Sequence, residues 1–510
     1  MTPDYTQGVI KSVSSQLRGI ELDHFIKSRP DGDYLVFEVA QPNSNFYSII
    51  NEADQKLEPD HPFKDRIVLQ ERKKRPADVF EIPEIKFLRR ELTQSLTVHR
   101  NTFKEDFFNR YTNSVQNYEG DIISNANFIV YGRRGAGKSS LLAYAMHKLI
   151  DLNRPVVWIA MQTYSARSDT QAIFSILSEL LSGAKEQSPE STEIIELARE
   201  ASILGESDDS PDLDKKLQRL IPRVRRVLGH CVSTDLPLTI FLDDLHLLDQ
   251  TLQPRFLATL YSLTRDNNIY IKASGIEALT RTWDGALHMG LQSPHDLQIM
   301  RLDYNLTMPE RSMAHIRDIL DAHARYCGLP SISYIADEKV ISRLVLAAAA
   351  VPRDALSLFS QAINKSMVRK QKSVSITSVN LSASETIEVK LRDLEQDLVS
   401  EKNEVSELLE SVKKFCIEDQ KKNAFLVKID NNSTGFNLTN KLAALRFAHV
   451  LSEGTTPHSA GVRYMALMLD FGFYVGIRAA KSVALFMDEP KAISAKDLRK
   501  LPIFHPKLKT

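Results

Sequence analysis

Between about residues 121 and 302, short apolar, β-branched runs alternate with longer stripes of helical period. Phe128–Tyr131, Pro155–Met161, Leu238–Leu242, Ile269–Ala273 and Leu297–Leu302 read as strands. Apolar residues three and four apart in Thr170–Leu181, Leu213–Leu228 and Gln253–Leu263 predict helices between them. Strands apolar on both faces and separated by helices imply a parallel α/β sheet covered on both sides. Helical patterning follows from Met308 to about Lys370. Then Ile387, Leu391, Leu394, Leu398, Val405, Leu408, Val412 and Phe415 form a heptad stripe broken only at Glu401. That stripe predicts a long helix, packed on its own protein or paired in a coiled coil.

The ends of the chain are patterned differently. Gly8 to Ile26 suits an amphipathic helix and Gly32–Val39 alternates like a strand, but little else organises the first 85 residues. Arg72-Lys-Lys-Arg75 is a basic cluster, read as a solvated linker or a nucleic-acid contact. Near the other end, strand Ala424–Ile429 and helix Leu438–Leu451 precede two apolar runs, Val462–Leu469 and Phe471–Ile477, separated by Asp470. Tyr464–Met487 carries Asp470, Arg478 and Lys481, which excludes a membrane span there.

Composition narrows the class. With 510 residues the chain has room for about three domains. Its 65 basic and 65 acidic residues balance, so any nucleic-acid surface must be local. Cys231, Cys327 and Cys416 show no metal or disulfide spacing. The start, Met1-Thr-Pro-Asp-Tyr5, lacks the basic-then-apolar pattern of a leader. A cytoplasmic protein is the expectation.

The chemistry concentrates where strand Asn127–Tyr131 runs into Gly132-Arg133-Arg134-Gly135-Ala136-Gly137-Lys138-Ser139-Ser140 and a helix to Ile150. This is a P-loop in its confirming context of strand before and helix after. Glycines 132, 135 and 137 let backbone N–H groups curl around phosphate, and the helix presents its positive end to the anion. Lys138 is placed to reach the β/γ-phosphates and the Ser139 hydroxyl to ligate Mg²⁺, which makes ATP with Mg²⁺ the expected ligand. About a hundred residues on, Pro237–Leu242 ends in Asp243-Asp244, a Walker B pattern. Asp243 suits the metal beside Ser139; Asp244 suits the base that polarises water. Ser274 closes the next strand, either orienting that water or opening a turn. Arg353 follows Pro352 at a helix start, where a cation opposes the helix dipole and calls for an anion, from a γ-phosphate or a nearby carboxylate.

Together these motifs resemble an AAA+ ATPase with its helical lid, and more narrowly the origin-recognition and archaeal replication-initiator clade, related to the STAND signalling ATPases. The resemblance covers about residues 105–380 well and 420–487 weakly. It implies that Ser274 is sensor 1 and Arg353 sensor 2. It also implies a homo-oligomer in which an arginine enters the neighbour's site: Arg265 by position, with Arg281 and Arg301 as alternatives. The departure is Asp244, where many relatives carry glutamate; hydrolysis is then slow or partner-stimulated, or ATP is bound without turnover. The implied domains are an N-terminal region of unclear fold (1–104), the AAA+ core (105–305), the lid (306–384), the heptad helix (385–422), a winged-helix-like domain (423–487) and a basic tail (488–510). Lys441, Arg446, Arg463, Arg478 and Lys481, with Lys496, Arg499, Lys500, Lys507 and Lys509, are available for double-stranded DNA. The alternative is a signalling module that binds a trigger or effector protein without DNA.

Overall fold

The computed structural model describes residues 5–98, 105–108, 110–185, 192–207, 212–230, 232, 236–302, 306, 309–397, 402–430, 432–456, 461–475 and 493–506. The chain divides into two compact units, Val98–Asp303 and a second in which Met1–Thr97 joins Tyr304–Thr510. Among the described residues no helix is long and apolar enough to cross a membrane.

The N-terminal segment runs α1 (Tyr5–Gln16), β1 (Asp23–Arg29), β2 (Gly32–Val39), α2 (Ser44–Gln55), β3 (Ile67–Glu71) and α3 (Pro83–Gln94). β2 pairs with β1 antiparallel and with β3 parallel. The helix expected over Gly8–Ile26 stops at Gln16, because Arg18 and Gly19 turn left-handed and Asp23 opens a strand. The basic cluster at 72–75 is partly spent inside the protein. Arg72 ion-pairs with Asp23 and, at 3.1 Å, with buried Glu84, and Arg75 donates to the Tyr334 carbonyl at 2.6 Å.

The Val98–Asp303 unit carries β4 (Phe128–Tyr131), α4 (Lys138–Asp151), β5 (Val156–Ala160), α5 (Asp169–Lys185), α6 (Thr192–Glu206), α7 (Asp212–His230), β6 (Leu238–Asp243), α8 (Leu252–Thr264), β7 (Ile269–Gly275) and β8 (Gln298–Arg301). The five strands form one parallel sheet in the order β8-β4-β7-β6-β5. All five coincide with the apolar runs of the sequence, and this is the P-loop AAA+ fold. Its helices bury the predicted stripes: Leu213, Leu217, Leu220, Val224 and Val227 of α7 are all within the core. The parallel register brings the C-terminal ends of β4, β7 and β6 to one edge, with Val130 opposite Ser274 and Leu242 opposite Ala273.

Lys272 on β7 is fully buried, a residue no sequence pattern marked. Its ammonium donates to the carbonyls of Ser124 and Ala126, both at 2.6 Å, and lies 4.4 Å from the Phe128 ring centre. Burial pushes its pKa down to about 7. The unfolded value is about 10.4, so between these limits the unfolded chain binds more protons and stability rises with pH. We expect Lys272→Met, which cannot titrate, to lack this rise. Denaturation from pH 7 to 9 should show the wild type gaining stability relative to the variant. A constant difference would contradict the assignment.

The second unit continues with α9 (Pro309–Tyr326), α10 (Glu338–Ala347), α11 (Pro352–Val368), α12 (Ile376–Asp397), α13 (Lys402–Lys414), β9 (Ala424–Lys428), α14 (Thr434–Ala444), β10 (Ala448–Thr455) and β11 (Tyr464–Leu469). The N-terminal segment packs on its helices: Arg89 donates to Asn364 Oδ1 at 2.7 Å and the Thr93 and Ser360 hydroxyls meet at 3.0 Å. The heptad stripe lies on α12 and α13; Leu398 and Glu401 fall outside the described residues. Val405, Leu408 and Val412 are buried, and the Phe415 ring packs against Phe425 and Phe504, so this half of the stripe faces its own protein.

β9, β11 and β10 form an antiparallel sheet in that order, after a helix and with α14 between the first two strands in the chain. The expected helix over Leu438–Leu451 ends at Ala444, since Arg446 turns left-handed and Phe447 N–H closes on the Leu442 carbonyl. The hairpin is therefore 448–455 with 464–469. Phe471–Phe473 is a single 3₁₀ turn, made by Asp470, whose carboxylate accepts from Gly472 N–H at 2.8 Å. Arg478, Lys481, Lys507 and Lys509 lie outside the described residues. The segment read as a basic tail folds back: Ile503 bridges to Leu426, and Leu498, Leu501 and Phe504 are buried.

Candidate nucleotide site

The loop after β4 owes its shape to two glycines. Gly137, at φ +94°, turns the backbone left-handed to cap α4, a conformation a side chain would strain. A Cβ on Gly132 would meet the Ala136 Cβ at 3.2 Å and Leu302 at 3.3 Å, so a side chain there would force its neighbours to give way where the loop leaves the sheet. Ala136 is buried and holds the turn, with its N–H on the Arg133 carbonyl at 3.1 Å. Lys138 opens α4 with only 5% of its surface exposed, its ammonium 3.3 Å from that same carbonyl. Arg134 is exposed on the loop, whereas Arg133, Gly135, Ser139 and Ser140 are half-buried.

Asp243 is the hub of the edge. Its Oδ1 accepts from Ser139 Oγ at 3.0 Å and from Ser274 Oγ at 2.6 Å. Ser274 Oγ in turn accepts the Asp244 N–H at 2.8 Å. The serine's single proton is thereby committed to Asp243, and one hydroxyl ties the ends of β6 and β7 together. Ser274 is fully buried, so its position between β4 and β6 serves the hub directly. Burial, and then the charge of Asp244, raise the Asp243 pKa, while the two serine hydrogen bonds and Lys138 oppose them. A cation at this edge would favour the ionised form.

Asp244 sits at φ 57°, ψ 49°, left-handed, which swings its carboxylate out of the strand line to a position 41% exposed. The next turn brings His246 beneath it. The His246 Nδ1 stands 3.8 Å from Asp244 Oδ1, in a side chain only 4% exposed. Sequence reasoning missed this histidine; the signal was a lone titratable group in the apolar string Leu245-His246-Leu247-Leu248.

Arg265 ends α8, 5.9 Å from the Tyr261 ring centre, and lines a cleft of about 460 Å³ with Arg225 and His288. Among the described residues no carboxylate pairs with its guanidinium. Arg301 is forked onto Glu277 at 3.0 and 2.6 Å, and Arg281 is paired with Asp284 at 3.0 Å. Arg353 stands in the first turn of α11 in the other unit, where the chain passes left-handed through Ala349 and Ala350 before Pro352.

Residues 116–271 match the family described as AAA ATPase domain. These residues are an AAA ATPase domain. The match spans β4, the loop and Asp243-Asp244, and ends at Ile271 within β7. No curated protein matches the chain. Among solved structures, the Drosophila ORC bound to DNA is similar at 13% identity and TM-score 0.36, over 86% of this chain and 98% of that one. The Aeropyrum pernix ORC1 protein in complex with DNA gives 13% and 0.40, over 78% and 95%. The ORC2 protein of the same organism, in ADPNP–ADP complexes, gives 12% and 0.39, over 75% and 96%. At these scores the assignment of the AAA domain rests on the family match and on the sheet with its P-loop.

Proposed function

We propose that the chain binds ATP with Mg²⁺ at the Gly132–Ser140 loop and hydrolyses it, acting as a cytoplasmic, initiator-like switch on DNA or on DNA-bound partners. The observation that carries this reading is the network joining Ser139, Asp243, Ser274 and Asp244. Hard oxygen donors from Ser139 and Asp243 converge within 3.0 Å, beside the phosphate loop, which fits a small divalent cation. Bound there, Mg²⁺ would neutralise charge on the β- and γ-phosphate oxygens.

The chain's own residues do the rest. Loop amides and Lys138 hold the phosphates. Asp244 accepts a proton from water as its oxygen bonds to Pγ; the Pγ–bridging oxygen bond breaks, and ADP leaves with the electron pair. Arg353 reports the γ-phosphate to α11. Arg265 enters a neighbour's site in a homo-oligomer; its freedom from a carboxylate supports it over Arg281 and Arg301.

The strand order β9-β11-β10 beside α13 and α14 supports the winged-helix-like reading, and Lys441, Arg463, Lys496, Arg499 and Lys500 are exposed there. They support double-stranded DNA as the partner. Arg446 leaves that set, because it is ion-paired with Asp354. This loss, with the even balance of 65 basic and 65 acidic residues, favours as a second reading a STAND-like module that engages an effector protein.

The deciding measurement is ATP hydrolysis by the full chain with and without double-stranded DNA. We expect turnover, stimulated by DNA and weakened by added salt. Turnover indifferent to DNA would select the signalling reading. Unchanged ATP under both conditions would remove the hydrolytic role.

A further inference from the structure

His246 has a buried ring and an unanswered nitrogen. Its Nδ1 finds no hydrogen-bond partner among the described residues, although its side chain is only 4% exposed. A buried polar atom left so is costly and calls for an explanation. The nearest carboxylate is Asp244 Oδ1 at 3.8 Å, just beyond hydrogen-bond reach, and Asp244 is 41% exposed and free to turn. The ring is fixed by the Leu245–Leu247 turn, whereas the carboxylate is not.

We propose that His246 is a positioning residue: with its proton on Nδ1 it donates to Asp244 Oδ1 and leaves Oδ2 facing the attacking water. This deepens the hydrolytic reading of the site and rests on it. Aspartate is one methylene shorter than glutamate, so its reach toward water is limited and its orientation matters more. A donor beneath one oxygen removes the rotational freedom that an exposed carboxylate would otherwise have. Burial first, and then Lys138 and Arg134, hold the His246 pKa down to about 4 against the pull of Asp244, so the ring is neutral near pH 7. A neutral ring carries one proton, and the choice of nitrogen decides whether it can donate to Asp244.

Three variants separate positioning from packing. An asparagine amide nitrogen occupies the place of Nδ1; a glutamine amide reaches the place of Nε2; leucine keeps only bulk. A positioned base contributes about 10²–10⁴-fold, so kcat should fall about 10–100-fold in His246→Leu and His246→Gln. His246→Asn should recover most of it, with KM for ATP unchanged in all three. Equal losses in the three, or none in leucine, would overturn the proposal. A second readout needs no turnover: ¹⁵N-imidazole NMR of the full chain, with the signal identified by its loss in His246→Leu. We expect the Nδ1–H tautomer, shifting toward Nε2–H in Asp244→Ala. An Nε2–H ring in the wild type would overturn the proposal even if the chain never hydrolyses ATP, whereas an inactive chain with the Nδ1–H tautomer would count only against hydrolysis.

Discussion

Lys138→Ala should reduce ATP turnover at least about a thousandfold, which is ~4 kcal/mol of lost transition-state stabilisation. The ammonium begins α4 at the mouth of the loop, 5% exposed, where water screens it little. In the proposed reaction, charge on the transferring phosphoryl group would develop in front of it, whereas Arg133 is half-buried and Arg134 exposed on the loop. The fold should survive. Lys138 donates to its own loop, at 3.3 Å to the Arg133 carbonyl, and the backbone of the turn is also held by Ala136 N–H. The check is steady-state turnover beside thermal unfolding. A variant that keeps a tenth of the wild-type rate would remove Lys138 from the proposed chemistry, and one that unfolds would make the lysine a structural group instead.

What could be read from sequence follows from how local each signal was. The sheet was legible because its five strands are short apolar runs framed by helices, and each run's identity depends on its own residues. The loop was legible because Gly132, Gly137 and Lys138 stand at the fixed spacing of the P-loop motif. Ser274 was placed correctly at a strand end, but its bond to Asp243 arises from strand order, and β7 lies between β4 and β6 only after folding. The N-terminal segment was obscure since β1 is exposed along its whole length and carries no alternation. Outside its strands the segment leans on distant parts of the chain, as Arg75 does on the Tyr334 carbonyl. The hairpin was misplaced for a similar reason. Asp470 looked like a break between two strands, whereas it ends β11 as a buried acceptor for groups eighty and twenty-one residues away. Arg446 looked like a DNA ligand until folding set Asp354 beside it.

Asp470→Ala should destabilise the second unit by about 3–5 kcal/mol, the usual consequence of removing one partner from a buried ion pair. The carboxylate is 5% exposed and satisfies three donors: Lys390 Nζ at 2.9 Å, His449 Nε2 at 3.1 Å and Gly472 N–H at 2.8 Å. Without it, the Lys390 ammonium keeps only the Arg446 carbonyl, at 3.3 Å, and α12 loses its charged tie to the C-terminal sheet. Burial alone would push the Asp470 pKa up, but Lys390 and the His449 hydrogen bond outweigh it and hold the carboxyl well below the usual carboxylate range. The sign of the pH dependence follows. A folded pKa below the unfolded value of about 3.9 stabilises fully above about pH 5, and that stability is lost as acid approaches the folded value. Urea unfolding of wild type and variant should therefore differ most near neutrality, and the difference should narrow as pH falls from about 5 to 3. Asp470→Asn, which keeps an acceptor for Gly472 without the charge, should fall between them. A difference below about 1 kcal/mol, or one that is flat from pH 7 to 3, would mean that Lys390 and His449 are held by their own surroundings and that the sheet does not depend on the aspartate.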